Sequence, residues 1–128
     1  MKRDFKKWHK KKNDLDQNEV RVNFHERDVW FGSIGANIGF EWDGKGEEFL
    51  RPIVILKKFN NETFWGIPLT TKVKDNQYYF IFEHNDRKSA ANLSQLRLID
   101  AKRLKYQIGS ISEKDFMELK KRIISLIQ

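Results

Sequence analysis

Cysteine is absent from the 128 residues, which excludes disulfides and zinc–thiolate sites and fits a reducing cytoplasm. Long apolar runs are missing too. The longest, Ile53 to Leu56 and Tyr78 to Phe82, fall far short of the ~20 residues a membrane helix needs. The basic opening has no apolar stretch behind it, so no secretory signal is expected. There is no HExxH, no acidic cluster on one strand, no GxSxG elbow, no P-loop and no GxGxxG turn. Glu47-Glu48 sits in a Gly-flanked loop, where a solvated pair is the default. Metal, hydrolase-elbow and nucleotide-binding chemistry thus lack a motif. Internal repeats are absent as well.

What is present suffices for one core. Apolar residues make up 39% and aromatics 13%, in a chain the length of one domain. Charged residues at 34% and a mean hydropathy of −0.72 predict a soluble protein. The net charge of +7 hints at a polyanionic partner, but its distribution is uneven. Of 25 basic and 18 acidic residues, positions 1–12 hold Lys2, Arg3, Lys6, Lys7, Lys10, Lys11 and Lys12 against Asp4 alone, so the rest carries 18 against 17. A basic run is ordinarily a solvated segment; it can also grip phosphates through counterion release. Phe5, Trp8 and Leu15 recur at helical spacing, so the arm is expected to be a short helix, with a connector to about residue 26.

From Arg27 the pattern turns to strand, then to a Gly-rich loop over 35–50, long enough to suggest function. Pro52 to Leu56 reads as a buried strand with Pro at its start. Asn60-Asn61 marks a turn into a β-rich run from Thr63 to Thr70. Lys72 to Asn76 is a polar turn before an aromatic strand, Gln77 to Phe82. Asn85 to Ser89 reads as a turn, Leu93 to Ile99 as a strand, Asp100 to Leu104 as one helical turn, and Tyr106 to Ile108 as a short strand. The C-terminal helix, 112–127, is the clearest element. Ser112 is a good N-cap with Asp115 at N3, and Ile111 and Phe116 have staple spacing. Phe116, Leu119, Ile123, Leu126 and Ile127 are expected to line its buried face. The expected architecture is five or six short strands forming a small barrel, with this helix across its mouth or side.

Of the histidines, His9 and His25 fall in the arm and connector, and His84 at a strand end reads as a lone solvent-facing residue, so paired-imidazole catalysis is not expected. Arg51 opens a buried strand and Thr70-Thr71 closes the next. If those strands pair as a hairpin, Arg51 and Thr70 meet at one end of the sheet under the Gly-rich loop. A fixed guanidinium beside hydroxyls suits a phosphate or oxyanion. Taken singly, the two are equally an edge Arg paired with a carboxylate and a Thr satisfying a turn.

The ordered motifs then resemble the MazF/PemK family of toxin endoribonucleases. They are Arg27-Asp-Val-Trp-Phe31, Asn37-Ile-Gly-Phe-Glu41, Arg51-Pro-Ile-Val-Ile55, Pro68-Leu-Thr70, Ser94-Gln-Leu-Arg-Leu-Ile-Asp100 with Lys102-Arg-Leu104, and Ile108-Gly-Ser-Ile-Ser-Glu113. Together they span roughly three quarters of the chain. The resemblance implies an α+β, mainly β fold: a small SH3-like β-barrel of the CcdB/PemK/MazF type over 27–128, preceded by the basic arm, 1–26. It also implies a homodimer, a cognate antitoxin, and metal-independent, cofactor-free cleavage of single-stranded RNA in the cytoplasm. Arg51 and Thr70 match the family's catalytic pair, and Glu41, Gln95 and Arg97 match positions that contact RNA or shape its groove. Trp42, Lys45 and Thr71 are further candidate contacts. Trp42 stands where the family often has glutamine, and it suits either stacking on a base or burial in the loop. In such cleavage the 2′-hydroxyl attacks its own phosphate while Arg51 and Thr70 stabilise the developing charge. The alternatives are a non-catalytic toxin on the same barrel, trapping a topoisomerase as CcdB does, or an inactive RNA-binding module.

Overall fold

The computed structural model describes residues 22–34, 50–72 and 74–128. The basic arm with its expected helix, and the loop holding Glu41, Trp42 and Lys45, lie outside the described residues. Seven strands are described: β1 (Asp28–Ser33), β2 (Leu50–Lys58), β3 (Thr63–Thr70), β4 (Tyr79–His84), β5 (Arg87–Asn92), β6 (Arg97–Asp100) and β7 (Leu104–Ser110). One helix, α1 (Glu113–Ile127), closes the chain. The sheet runs β4-β5-β3-β2-β1-β7, with β6 paired to β3.

The apolar run in β2 is continuous because both its faces are buried. Val54 and Leu56 join Val29, Ile67, Leu69, Phe80, Phe82 and the helix residues Phe116 and Leu119 in one core cluster. Ile53 and Ile55 face a second cluster containing Phe24, Trp30, Phe64, Ile99 and Leu104. A tight turn closes this central hairpin. Asn60 Oδ1 accepts from the backbone N–H groups of Glu62 (2.7 Å) and Thr63 (2.9 Å), an Asx turn that reverses the chain between β2 and β3.

β3 changes partners along its length. On the edge away from β2 it pairs with β6 over Thr63–Gly66 and with β5 at Leu69 and Thr70. Pro68, with no N–H to donate, lies where one partner gives way to the other. The β2–β3 ladder also ends there, at Ile53↔Pro68. The next pair in register would be Pro52 with Leu69, and Pro52 has no N–H to offer. Beyond that point Pro52 and Arg51 pair with Phe31 and Gly32 of β1, while Leu69 and Thr70 follow β5. The sheet therefore splits at one end. Its two outer strands approach each other again without a ladder: Asn85, in the β4–β5 turn, donates from Nδ2 to the Ile108 carbonyl of β7 (3.3 Å).

Several elements differ from expectation. β2 begins at Leu50, so Pro52 is its third residue. β4 starts at Tyr79, after an Asn76 turn that accepts the backbone N–H groups of Tyr78 and Tyr79. Arg87–Asn92 is a strand where a turn was expected. Its Ser-Ala-Ala centre has poor strand propensity, but small side chains fit between β4 and β3, where Ala90 and Ala91 are fully buried. The expected strand from Leu93 to Ile99 divides into a 3₁₀ turn (Leu93–Gln95) and β6. The helical turn at Ala101–Arg103 forms as expected, with Asp100 Oδ1 accepting from Lys102 N (2.8 Å).

The Ser112 hydroxyl caps α1, accepting from the Asp115 N–H (3.1 Å). Phe116 and Leu119 are buried, and Ile123 and Leu126 pack against the same cluster. Ile127, expected on that face, is 78% exposed. Among the described residues no helix is long and apolar enough to cross a membrane.

Residues 22–26, expected as connector, are packed on the strands. Phe24 is fully buried against Phe64 (centroids 5.2 Å apart). Lys58 Nζ donates to the Phe24 carbonyl (2.9 Å), and Glu26 Oε2 accepts the Lys58 N–H (2.9 Å). Phe24→Ala should therefore cost about 3–5 kcal/mol of stability, read as a lower urea midpoint. A loss within about 0.5 kcal/mol would mean that this segment is not part of the core.

Candidate functional site

A cleft of about 910 Å³ opens where β2 and β3 part. Leu50, Arg51 and Pro52 of β2 form one lip with Phe31; Leu69, Thr70, Thr71 and Lys72 form the other. The β4–β5 hairpin contributes Tyr79, His84, Asn85, Arg87 and Ser89, and Ile108 comes from β7. Arg51 and Thr70 are thus brought to facing lips of one cavity, as members of diverging strands rather than as a hydrogen-bonded pair in the ladder. Thr71 lines the same cavity.

Local structure fixes both side chains. Arg51 is held in register by Gly32 on β1, and its Nε is shielded from solvent. The Thr70 hydroxyl accepts the Lys72 N–H (3.0 Å), a turn that sets its rotamer and leaves its own proton for an acceptor in the cleft. Gln95 and Arg97 are not among the cleft-lining residues. Arg97 stands opposite Gly66, in the middle of β3, and Gln95 ends the 3₁₀ turn before it.

The electrostatics of the cleft could not be read from composition. Outside the arm the chain is nearly neutral, yet four cations line this cavity: Arg51, Lys72, Lys74 and Arg87. No carboxylate is among the described lining residues. Concave walls of one sign focus the field and favour an anion. Lys74 sits at 6.0 Å from the Tyr79 ring centroid, which adds an aromatic wall. Among the described residues no three His, Asp or Glu side chains are placed to hold a metal ion.

His84 is where sequence reasoning fell short. It is half-buried. Its Nε2 is buried without a hydrogen-bond partner among the described residues, and burial holds its pKa below the usual 6.5. The ring lies against Gly109, whose φ is 153°; a Cβ there would stand 2.7 Å from Nε2. Glycine serves both the backbone conformation and the close approach of the imidazole. The usable signal was parity: Phe80, Phe82 and His84 share one face of β4, so a buried aromatic pair points the histidine inward at the barrel rim. Lys72, Lys74, Tyr79 and Arg87 were missed because their convergence depends on the pairing of β3, β4 and β5.

The same architecture occurs among known proteins. The family described as PemK-like, MazF-like toxin of type II toxin-antitoxin system matches residues 36–127. Among solved structures, the Mycobacterium tuberculosis toxin MazF-mt6 is similar at 16% identity, with 79% of this chain and 96% of that one covered and a TM-score of 0.61. An Mtb toxin is similar at 20% identity, covering 59% of this chain and 90% of that one, with a TM-score of 0.52. At such identities the likeness is one of fold. No curated protein sequence matches the chain.

A double variant, Lys72→Gln with Arg87→Gln, should weaken binding to a single-stranded polynucleotide. It should also flatten the dependence of log affinity on log salt by up to about 0.7 for each phosphate left unneutralised. The urea midpoint should stay put, since both side chains are exposed. An unchanged salt slope in a filter-binding titration would remove the cleft cations from the binding surface.

Proposed function

The chain belongs to the PemK-like, MazF-like toxin family of type II toxin–antitoxin systems, and from that premise we propose that it is a metal-independent endoribonuclease. Toxins of this family generally cut RNA. The observation that supports the same activity here is the placement of Arg51 and Thr70 on facing lips of a cation-lined cleft.

The chemistry matches what those side chains can do. When a 2′-hydroxyl attacks its neighbouring phosphate, negative charge grows on the non-bridging oxygens. Arg51, with a pKa above ~12, stays cationic throughout and meets that charge with fixed N–H donors. Thr70, its rotamer held by the Lys72 N–H, adds a hydroxyl donor to the same oxygens. Lys72, Lys74 and Arg87 hold the flanking phosphates, so the scissile linkage is positioned before reaction. The 5′-oxygen leaves, and the products are a 2′,3′-cyclic phosphate and a 5′-hydroxyl.

Membership of the family also implies an antitoxin partner, and typically a dimer. A cleft with four cations and no described carboxylate suits an acidic inhibitory peptide as well as RNA. Glu41, Trp42 and Lys45, on the preceding loop, and Gln95 and Arg97, away from the cleft, are proposed to contact RNA beyond the scissile phosphate. The basic arm adds phosphate contacts of its own.

Pure protein incubated with a long RNA in excess EDTA should yield discrete fragments ending in 2′,3′-cyclic phosphate. Arg51→Ala and Thr70→Val should each slow cleavage on the order of 100–1000-fold. RNA left intact, or cleavage that EDTA abolishes, would overturn the assignment. Deleting residues 1–12 should reduce the salt slope of RNA binding by about 0.7 for each phosphate the arm neutralises in the intact chain; an unchanged slope assigns the arm elsewhere.

A further inference from the structure

The cleft is rich in groups that donate and poor in groups that accept a proton. Arg51, Lys72, Lys74 and Arg87 are cations at neutral pH, and the Thr70 and Thr71 hydroxyls donate. No carboxylate is among the described lining residues, so among them the imidazole of His84 is the group whose basicity suits the 2′-hydroxyl proton. His84 lines the same cavity. Its Nε2 is closed off against the Gly109 backbone, at the junction that Asn85 makes with the Ile108 carbonyl, so Nδ1 is the nitrogen left to serve the cleft. For Nδ1 to accept a proton, the neutral ring carries its own proton on Nε2.

We infer that His84 is the proton acceptor of the cleft, removing the 2′-hydroxyl proton of the RNA substrate at Nδ1; this rests on the endoribonuclease reading above. As the 2′-oxygen bonds to phosphorus, its proton passes to Nδ1. The P–O5′ bond breaks with its electron pair going to O5′, which takes a proton from solvent water. The imidazolium returns its proton to the hydroxide so formed, and the enzyme is restored.

The surroundings keep the ring neutral and ready to accept. Desolvation disfavours the imidazolium. From β5 the cross-strand partner of His84 is the cation Arg87; β2 contributes Arg51, and the segment after β3 contributes Lys72 and Lys74. The phenol of Tyr79 also lines the cavity. On β4 itself Glu83 alternates to the opposite, exposed face, where it pairs in register with Lys88. Asp86 sits exposed in the turn, and on β7 Lys105 and Tyr106 lie exposed beyond Ile108.

The test is the pH dependence of kcat/KM for cleavage of a defined single-stranded RNA in EDTA, for the full-length wild type and for His84→Gln. The wild type should gain tenfold per pH unit on an acid limb below pH 6.5, then level off, because protonation removes the acceptor. His84→Gln should lose at least about 100-fold on the plateau and lose that limb, with RNA affinity retained. An NMR titration of His84 in wild-type protein should report the same midpoint as the limb. A variant that keeps the wild-type limb, or a His84 titration that departs from it, overturns the inference while leaving the nuclease intact. The NMR comparison decides even if the variant does not fold. A wild type that leaves all RNA uncut overturns the nuclease reading itself.

Discussion

The end of one ladder organises this molecule. β2 and β3 pair from Lys58↔Phe64 to Ile53↔Pro68 and then stop, where Pro52, which has no N–H, would pair next with Leu69. Each strand keeps its other neighbour, β1 for β2 and β5 for β3, while the two separate. A cavity follows directly. One lip is the start of β2 and the other the end of β3, each held by a ladder to its remaining neighbour. That rigidity suits a site that works through preorganised donors. Arg51 and Thr70 face each other because the hairpin register puts them just past the prolines.

The far wall is built differently. β4 and β7, the outer strands of the sheet, meet without a shared ladder, through the Asn85 amide on the Ile108 carbonyl and the His84 ring on Gly109. Behind β4, Arg122 donates to the Tyr79 carbonyl (3.0 Å) and lies over Phe80, tying the strand to α1. The helix therefore supports the wall that carries His84 and Tyr79 while standing outside the cleft. Charge is gathered by the same closure. A body with 18 basic and 17 acidic residues becomes a scaffold with a strongly positive cavity, since Lys72, Lys74 and Arg87 arrive from turns that only the folded sheet brings near Arg51.

Much of this was legible in the order of residues. The Asn60 turn, the run Thr63–Thr70, the Ser112 cap and the staple pair are local signals, each confined to a short stretch of chain. Arg51 and Thr70 could be paired because a hairpin turns register into arithmetic. β5 was hidden because Ser89, Ala90 and Ala91 are chosen for the space between neighbours rather than for strand propensity. His84 was hidden by proximity to a turn; its inward direction was written in the parity of Phe80 and Phe82, but not the Gly109 approach that buries its Nε2.

The chain by itself determined the strands flanking the central hairpin, the helix cap, and a family pattern reaching from the Arg-Pro strand to the C-terminal helix. These rest on periodicity, turn chemistry and capping, which are interactions between near neighbours. Only the tertiary structure decided that the central hairpin parts into a cleft, that Gln95 and Arg97 do not line it, and that three more cations and a half-buried imidazole converge on it. Those facts depend on ladders between segments far apart in the chain, such as β1 with β7 and β3 with β6, and no local pattern encodes which side of the sheet a distant turn will reach.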